Sequence, residues 1–137
     1  RLVRDWSSDV CSSDLNLLLC MKMMEIFNIG IDIVNIERFK KKGYTKNKKF
    51  YQKIFTNSEI KYCLGFKNSS EHFAGKFAIK ESVRKSIKEK IPFNKILTMH
   101  KNSKPGIILK MKSNYEFLVS VSHEANIALA IVIALKK

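Results

Sequence analysis

The sequence predicts a single α+β domain in which an antiparallel sheet packs against one long helix. Three patterns lead to this expectation: alternating apolar residues around residue 30, helical spacing of apolar residues from 71 to 88, and a continuous apolar strand at 127–135. A chain of 137 residues with 45% hydrophobic residues can bury one sizeable core. Neither a repeat nor a low-complexity linker divides the chain, so we expect one domain.

The first residues differ in composition from the rest of the chain. Residues 1–15 contain a short imperfect repeat, SSDV followed by SSDL. They contain no lysine, whereas the remainder is rich in lysine. This stretch resembles translated sequencing-adapter sequence, although an ordinary disordered terminus would look similar. We therefore expect residues 1–20 to be a disordered, non-native leader and residues 21–137 to form the domain, with translation starting at a methionine at or soon after residue 21.

The first predicted strand lies at residues 27–33. Its apolar residues alternate with small or polar ones and are Phe27, Ile29, Ile31 and Ile33. Alternation with a period of two is typical of a strand with one buried face. We therefore expect the isoleucines to lie on the core and Asp32 to point away from it.

Two helices follow in the middle of the chain. The cluster Thr56-Asn57-Ser58-Glu59 can cap a short helix that continues to Leu64. Ser69 and Ser70 can cap the long helix, which we predict from Glu71 to Lys88, and Pro92 helps to end it.

The remaining elements are strands. Residues 95–100 and 107–111 form a plausible hairpin around the turn at 102–106, which contains Pro and Gly. Residues 117–123 alternate, and residues 127–135 are continuously apolar. A continuous apolar strand is buried on both faces, so the last strand should be central in its sheet.

Charge and cysteine content limit the function classes. The 26 basic and 12 acidic residues give a formal charge of +14, which attracts nucleic acid, an anionic membrane surface, a phosphorylated small molecule or an acidic protein. The longest apolar run, 127–135, is about half of the roughly 18 residues needed to span a membrane, so we expect no membrane segment. Three cysteines without a CxxC pair favour a reducing, cytoplasmic location.

Glu81 occupies an unusual position on the long helix. A column of residues at steps of four contains Phe73, Phe77, Glu81 and Lys85. A carboxylate beside phenylalanines needs a partner, and the simplest is Lys85 one turn later. The other basic residues of the helix form either a solvated face or a polyphosphate site, and they are Lys76, Lys80, Arg84 and Lys88.

Asp32 is the only aspartate after residue 15, and it interrupts an isoleucine-rich strand, where aspartate is disfavoured. It could face water at a strand edge or pair with Arg38. Alternatively, Asp32 and Glu81 could together hold one Mg²⁺, which accepts few protein ligands and keeps water or phosphate oxygens. Near the C-terminus, Ser120, Ser122 and His123 are interpreted as binding or capping groups rather than a catalytic triad.

Five segments, in this order, resemble holo-acyl-carrier-protein synthase, the small bacterial type of 4′-phosphopantetheinyl transferase. They are IGIDIVNIERF at 29–39, FTNSEIKYC at 55–63, FAGKFAIKESVRKS at 73–86, SKPGI at 103–107 and VSVSHEANIALAIVI at 119–133. The resemblance covers residues 24–137. One departure is Ser103, where the family commonly has glycine, and the segment between Met111 and Val119 is short.

The resemblance implies an enzyme of fatty acid biosynthesis. It would move the phosphopantetheine arm of coenzyme A to a serine of apo acyl carrier protein and release adenosine 3′,5′-bisphosphate. By the same resemblance, Asp32 and Glu81 hold Mg²⁺, and Lys85 stabilises charge that develops at phosphorus. Either Glu81 or a metal-bound water would deprotonate the serine hydroxyl.

The resemblance also implies binding residues and an assembly. Lys76, Lys85, Ser122 and His123 are the candidates for binding coenzyme A, and Arg38 is the candidate for contacting the acidic carrier protein. Family members are homotrimers with active sites between subunits. Asp32 and Arg38 are therefore expected to face Glu81 and Lys85 of a neighbouring subunit.

Two other functions remain open at this stage. The charge also suits a nucleic-acid-binding module, with aromatic residues interleaved among lysines at Tyr44, Phe50, Tyr51 and Phe55. That function leaves Asp32 and Glu81 unexplained, and we expect no nucleic-acid partner. A catalytically inactive relative that only binds coenzyme A or a carrier protein is the third candidate, against which the intact acidic pair argues.

Overall fold

The computed structural model describes residues 14–137 and confirms the α+β class. In chain order, the helices are α1 (Asp14–Ile26), α2 (Glu37–Lys41), α3 (Lys48–Ile54), α4 (Asn57–Leu64) and α5 (Ser69–Ser86). The strands are β1 (Phe27–Asn35), β2 (Ile96–Lys101), β3 (Lys104–Leu109), β4 (Tyr115–Glu124) and β5 (Ile127–Lys136). Short 3-10 helices lie at Tyr44–Lys46 and Phe93–Lys95.

The strands form two antiparallel sheets. One sheet has the order β1-β5-β4, and the other is the hairpin β2-β3. The last strand is central, as its continuous apolar sequence predicts, and Ile31 pairs with Ile131 across the β1–β5 ladder. The long helix α5 packs across one face of the three-stranded sheet, mainly against β1 and β5.

Gly30 allows α5 to approach β1 closely. A Cβ atom at Gly30 would overlap the carbonyl oxygen of Ser82, so any side chain there would push the helix away from the strand. Ser82 also ties the helix to the neighbouring strand, because its hydroxyl donates a hydrogen bond to the Ala130 carbonyl at 3.0 Å. Residues that flank this crossing are thereby held close together.

The predicted orientation of β1 is wrong. The isoleucines at 29, 31 and 33 are between 51% and 61% exposed, whereas Gly30 and Val34 are buried against the helix. Asp32 lies on this second face, so it points towards α5 rather than away from it. The physical reason is the close approach at Gly30, because an isoleucine face could not pack on the helix at that distance.

The element boundaries show further differences. The predicted leader boundary at residue 20 falls inside α1, and residues 14–20 are helical rather than disordered, while residues 1–13 lie outside the described part. Leucine and methionine are good helix formers, which accounts for the helix. The long helix begins at Ser69 after the N-cap residue Asn68, and it ends at Ser86, two residues before the predicted end.

The β2–β3 hairpin has a tighter turn than predicted. Asn102 and Ser103 have φ values of 51° and 63°, and Lys101 pairs with Lys104. Two successive residues with positive φ make a type I′ turn, whose twist matches that of a hairpin. Pro105 and Gly106 therefore belong to β3 and not to the turn. Among residues 14–137, none of the helices is long and apolar enough to cross a membrane.

Candidate active site

Asp32 and Lys85 meet at the crossing of β1 and α5. The Lys85 ammonium donates hydrogen bonds to Asp32 Oδ1 at 2.7 Å and to the Ile31 carbonyl at 3.0 Å. The Asp32 side chain is 15% exposed, so the pair lies at the edge of the packed interface. This contact is made within one chain, whereas the resemblance implied that Asp32 faces Lys85 of a neighbouring subunit.

Glu81 lies one helical turn before Lys85 on α5. Its side chain is 27% exposed, and its carboxylate lies 3.8 Å from the Arg84 guanidinium. Lys85 was the expected partner of Glu81, but Lys85 turns to the strand and binds Asp32 instead. Glu81 is next to Ser82, which touches Gly30 at the crossing, and it is four residues before Lys85, which binds Asp32.

The chemistry of these two carboxylates fits Mg²⁺. Both supply hard oxygen donors at a partly exposed edge, which leaves room for water and phosphate oxygens in the remaining positions. Pairing with Lys85 uses Asp32 Oδ1, and a carboxylate has a second oxygen for a cation. In the described part of the chain, no group of three or more His, Cys, Asp or Glu residues comes together as a possible metal site.

A cavity of about 580 Å³ lies between α5, the β2–β3 hairpin and β4. Its polar wall includes Tyr62, His72, Lys76, His100, Lys104 and His123. Burial lowers the pKa of His72, and burial together with the Lys76 charge lowers the pKa of His100. Both shifts favour the neutral imidazole, and the wall also contains two lysines, Lys76 and Lys104.

Lys76 is 4% exposed, so of the two alternatives for the basic residues of the helix, a solvated face does not apply to it. Its ammonium donates to Thr98 Oγ1 at 2.9 Å and to the Thr98 carbonyl at 3.2 Å, and it lies 4.7 Å from the centroid of the Tyr62 ring. Burial lowers the pKa of Lys76. Lys76 is thus a buried lysine that lines the cavity.

Lys80 is also fully buried rather than solvated. Its ammonium lies 2.8 Å from Glu59 Oε2 and donates to three backbone carbonyls, those of Ile54, Phe93 and Ile96. Burial favours a higher pKa for Glu59, but the Lys80 charge and hydrogen bonds from Lys80, Thr98 and Thr56 outweigh it and hold the Glu59 pKa below its ordinary value. This ion pair joins α4 to α5 and is structural.

Sequence reasoning missed the roles of Glu59, Thr98 and Tyr62. Glu59 caps its own helix through Thr56 and also accepts hydrogen bonds from the backbone N–H and the hydroxyl of Thr98, at 2.8 and 2.6 Å. Acidic residues are scarce in this sequence, and this scarcity could have indicated a role for Glu59. Thr98 and Tyr62 gave no comparable signal, because their partners are distant in the sequence.

The other predicted site residues occupy different places. His123 lines the cavity, and a Cβ atom at Gly75 would lie 2.9 Å from its Nε2 atom, so helix and imidazole are in close contact. Ser122 is exposed and is not part of the cavity wall, whereas Ser120 is. Arg38 is an exposed residue of α2, and its guanidinium lies 5.1 Å from the centroid of the Phe77 ring.

Comparison with known proteins identifies the family. The model of the 4′-phosphopantetheinyl transferase superfamily matches residues 28–132, which include Asp32, Glu81, Lys85 and the cavity-lining residues. The chain belongs to this superfamily. The predicted resemblance to 4′-phosphopantetheinyl transferases of the holo-acyl-carrier-protein synthase type is thereby confirmed.

Curated members of the superfamily cover most of the chain. Two are named holo-[acyl-carrier-protein] synthase: a protein of Thermodesulfovibrio yellowstonii, 36% identical over 79% of this chain and 97% of its own length, and one of Chlamydia felis, 36% identical over 82% and 99%. Thus the match extends over nearly the whole of each relative.

Solved structures of transferases agree with the fold. A Bacillus anthracis holo-(acyl-carrier-protein) synthase in complex with CoA (3′,5′-ADP) is 29% identical, with a TM-score of 0.70 over 82% of this chain and 98% of its own. A Helicobacter pylori holo-[acyl-carrier-protein] synthase in complex with coenzyme A is 31% identical, with a TM-score of 0.64 over 77% and 98%.

Proposed function

We propose that this 4′-phosphopantetheinyl transferase is a holo-acyl-carrier-protein synthase of fatty acid biosynthesis. It transfers the 4′-phosphopantetheine arm of coenzyme A to a serine hydroxyl of apo acyl carrier protein and releases adenosine 3′,5′-bisphosphate. The observation that carries the proposal is the contact of Asp32 with Lys85 where β1 crosses α5, with Glu81 one helical turn before Lys85.

Asp32 and Glu81 would hold Mg²⁺, which neutralises charge on the coenzyme A pyrophosphate when it is bound. Lys85 stabilises the charge that develops at the pantetheine-side phosphorus when the serine oxygen attacks. Because Lys85 is anchored by the Ile31 carbonyl, it stays close to the phosphate even when Asp32 engages a cation. Glu81, with the more exposed of the two carboxylates, is the residue of this chain that can accept the serine proton.

The cavity suits the nucleotide end of coenzyme A. It is large enough for a nucleoside with phosphates, and its wall combines aromatic faces with the Lys76 and Lys104 ammonium groups.

We further propose that the protein is a homotrimer that docks acidic acyl carrier protein beside Arg38. The formal charge of +14 favours an acidic protein partner. The outer face of the three-stranded sheet exposes Ile29, Ile31, Ile33 and Leu118, and an apolar face of this kind is expected at a subunit interface. The odd number of cysteines also favours a cytoplasmic location.

The direct experiment is intact-mass analysis of apo acyl carrier protein incubated with the enzyme, coenzyme A and Mg²⁺. The proposal predicts the mass increase of one phosphopantetheine group with the wild type, and its loss with Asp32→Ala or Glu81→Ala. Glu124→Ala, a change of an exposed carboxylate at the end of β4, is the matched control and should retain transfer.

Absence of the modified carrier with several apo carriers would contradict the proposal. Tight oligonucleotide binding that weakens steeply with salt would instead support a nucleic-acid-binding function.

A further inference from the structure

The Lys76 ammonium is a buried group that lies over the Tyr62 ring and makes its hydrogen bonds to one residue. Among the side chains that the structure describes, no carboxylate lies within 4 Å of this ammonium, and both of its hydrogen bonds go to Thr98. An ammonium group has three N–H donors, so Thr98 satisfies two of them. A buried cation without an opposite charge is costly unless a ligand supplies that charge. An anionic ligand in the cavity would supply that charge, and Thr98 is the residue that can aim the ammonium at it.

Thr98 is itself held by a buried carboxylate. The Thr98 backbone N–H and hydroxyl both donate to Glu59 Oε1, at 2.8 and 2.6 Å. A hydroxyl has one proton, so donation to Glu59 leaves only lone pairs on Thr98 Oγ1, and these accept from Lys76. The ion pair of Glu59 with Lys80 keeps the carboxylate ionised. It thereby fixes the direction of the hydrogen bonds from Thr98 to Glu59 and from Lys76 to Thr98.

The geometry points to Thr98, oriented by Glu59, as a positioning residue that holds the Lys76 ammonium at the cavity wall for a phosphate group of the nucleotide. This inference rests on the proposed function. It extends that function to a residue outside the Asp32, Glu81 and Lys85 site and outside the surface proposed for the carrier protein. Thr98 is 4% exposed, so it acts through Lys76 rather than on the ligand. The probe for the site is adenosine 3′,5′-bisphosphate alone.

The test compares Thr98→Val, which keeps the shape and the backbone carbonyl but removes the hydroxyl, with Thr98→Ser, which restores it. We expect Thr98→Val to weaken adenosine 3′,5′-bisphosphate binding about tenfold and to raise the KM for coenzyme A by a similar factor, because a hydrogen bond to a charged group is lost. The kcat should change less than about twofold, since Lys76 binds rather than reacts. Thr98→Ser should restore binding, and Thr45→Val, at an exposed threonine, is the matched control.

A double-mutant cycle separates positioning from general packing. Lys76→Met should weaken binding, and adding Thr98→Val to Lys76→Met should cost little more, because the two residues act as a unit. If Thr98→Val binds the nucleotide as tightly as Thr45→Val while Lys76→Met does not, the inference is overturned. It is also overturned if Thr98→Val lowers kcat and leaves the KM unchanged.

A second measurement uses the wild-type protein, in case Thr98→Val does not fold. The Lys76 ammonium, followed by NMR of protein with ¹⁵N-labelled lysine, should shift when adenosine 3′,5′-bisphosphate is added, and an unchanged resonance would overturn the inference. Failure of the proposed function gives a different result from failure of this inference. In that case the wild type does not modify any apo carrier, whereas the Thr98 substitutions still change nucleotide binding.

Discussion

The Glu59 carboxylate and the Lys80 ammonium form a buried ion pair, 2.8 Å apart, between α4 and α5. Both residues are almost completely excluded from solvent, at 2% and 0% exposure. Because Glu59 also orients Thr98, the same pair that joins two helices supports the wall of the cavity. If the cavity binds the nucleotide as proposed, one carboxylate contributes both to stability and to ligand binding.

This ion pair predicts how stability depends on pH. The pKa of Glu59 is lower in the folded protein than its ordinary value of 4.5, so its stabilisation is complete above that value and is lost as pH falls through the folded pKa. Glu59→Gln should lower the free energy of unfolding at pH 7 by about 3 to 5 kcal/mol, because Lys80 is left buried and unpaired. It should also flatten the decrease in stability below pH 4.5.

Urea denaturation at a series of pH values measures both effects. Glu124→Gln, at an exposed carboxylate, is the control, and its free energy of unfolding should decrease at low pH as in the wild type. If the free energy of unfolding of Glu59→Gln decreases as steeply below pH 4.5 as that of the wild type, other groups cause the loss of stability.

Gly30 is predicted to be essential for the approach of α5 to β1. Gly30→Ala should destabilise the protein by about 3 kcal/mol through overpacking, because the new methyl group overlaps the Ser82 carbonyl. Gly43→Ala is a matched control, since a methyl group at Gly43 would have no neighbour within 4 Å and the φ of this residue is −52°. That control should be neutral or stabilise by up to about 1 kcal/mol. Equal thermal unfolding midpoints for the two variants would contradict close packing at Gly30.

Ser103 is predicted to be strained in the hairpin turn. Its φ of 63° is unfavourable for a residue with a side chain, and the family commonly has glycine here. Ser103→Gly creates an Asn-Gly type I′ turn and should stabilise the protein by about 0.5 to 1 kcal/mol, measured by thermal unfolding. Ser120→Gly, inside β4, should have the opposite sign, because glycine weakens a strand. A thermal unfolding midpoint of Ser103→Gly below that of the wild type would contradict the prediction that Ser103 is strained.

The outer face of the sheet is predicted to be the subunit interface. Ile31→Asp places a charge at the centre of this face and should convert the trimer into monomers of 15.9 kDa, as measured by light scattering during gel filtration. Leu64→Asp, at an exposed leucine of α4, should leave the assembly intact. A monomeric wild type, or a trimeric Ile31→Asp variant, would rule out this interface.

Local patterns in the sequence predict most of the fold. Local patterns locate the long helix and all five strands to within three residues at each end, because strands and helices have distinct side-chain periods. The cap at Thr56 and Glu59 is equally local, since its two residues are three apart. The tight turn at 102–103 escaped prediction because the neighbouring Pro and Gly suggested a longer loop.

The orientation of β1 could not be predicted from one chain. An isoleucine-rich face indicates burial, but the alternation of residues does not tell whether the burial is inside the subunit or against another copy. The decisive contact is between Gly30 and Ser82, which are 52 positions apart in the sequence. The sequence therefore predicts the strand and not its face.

The candidate site was predictable in part. The scarcity of aspartate drew attention to Asp32, and the apolar column drew attention to Glu81, but the partner of Lys85 depends on the crossing of two distant elements. Lys76 and Lys80 follow the spacing of a solvated face, and their burial depends on Thr98 and Glu59, which lie elsewhere in the sequence. Side chains that bind through long-range contacts leave little trace in local patterns.

The central claim is that Asp32 and Glu81 jointly hold one divalent cation. Electron paramagnetic resonance of Mn²⁺, titrated into the protein with saturating coenzyme A, measures this binding directly. We predict that the wild type binds one Mn²⁺ and that Asp32→Asn and Glu81→Gln each weaken this binding at least about tenfold, because each removes a charged ligand. Wild-type affinity in both variants would contradict the claim.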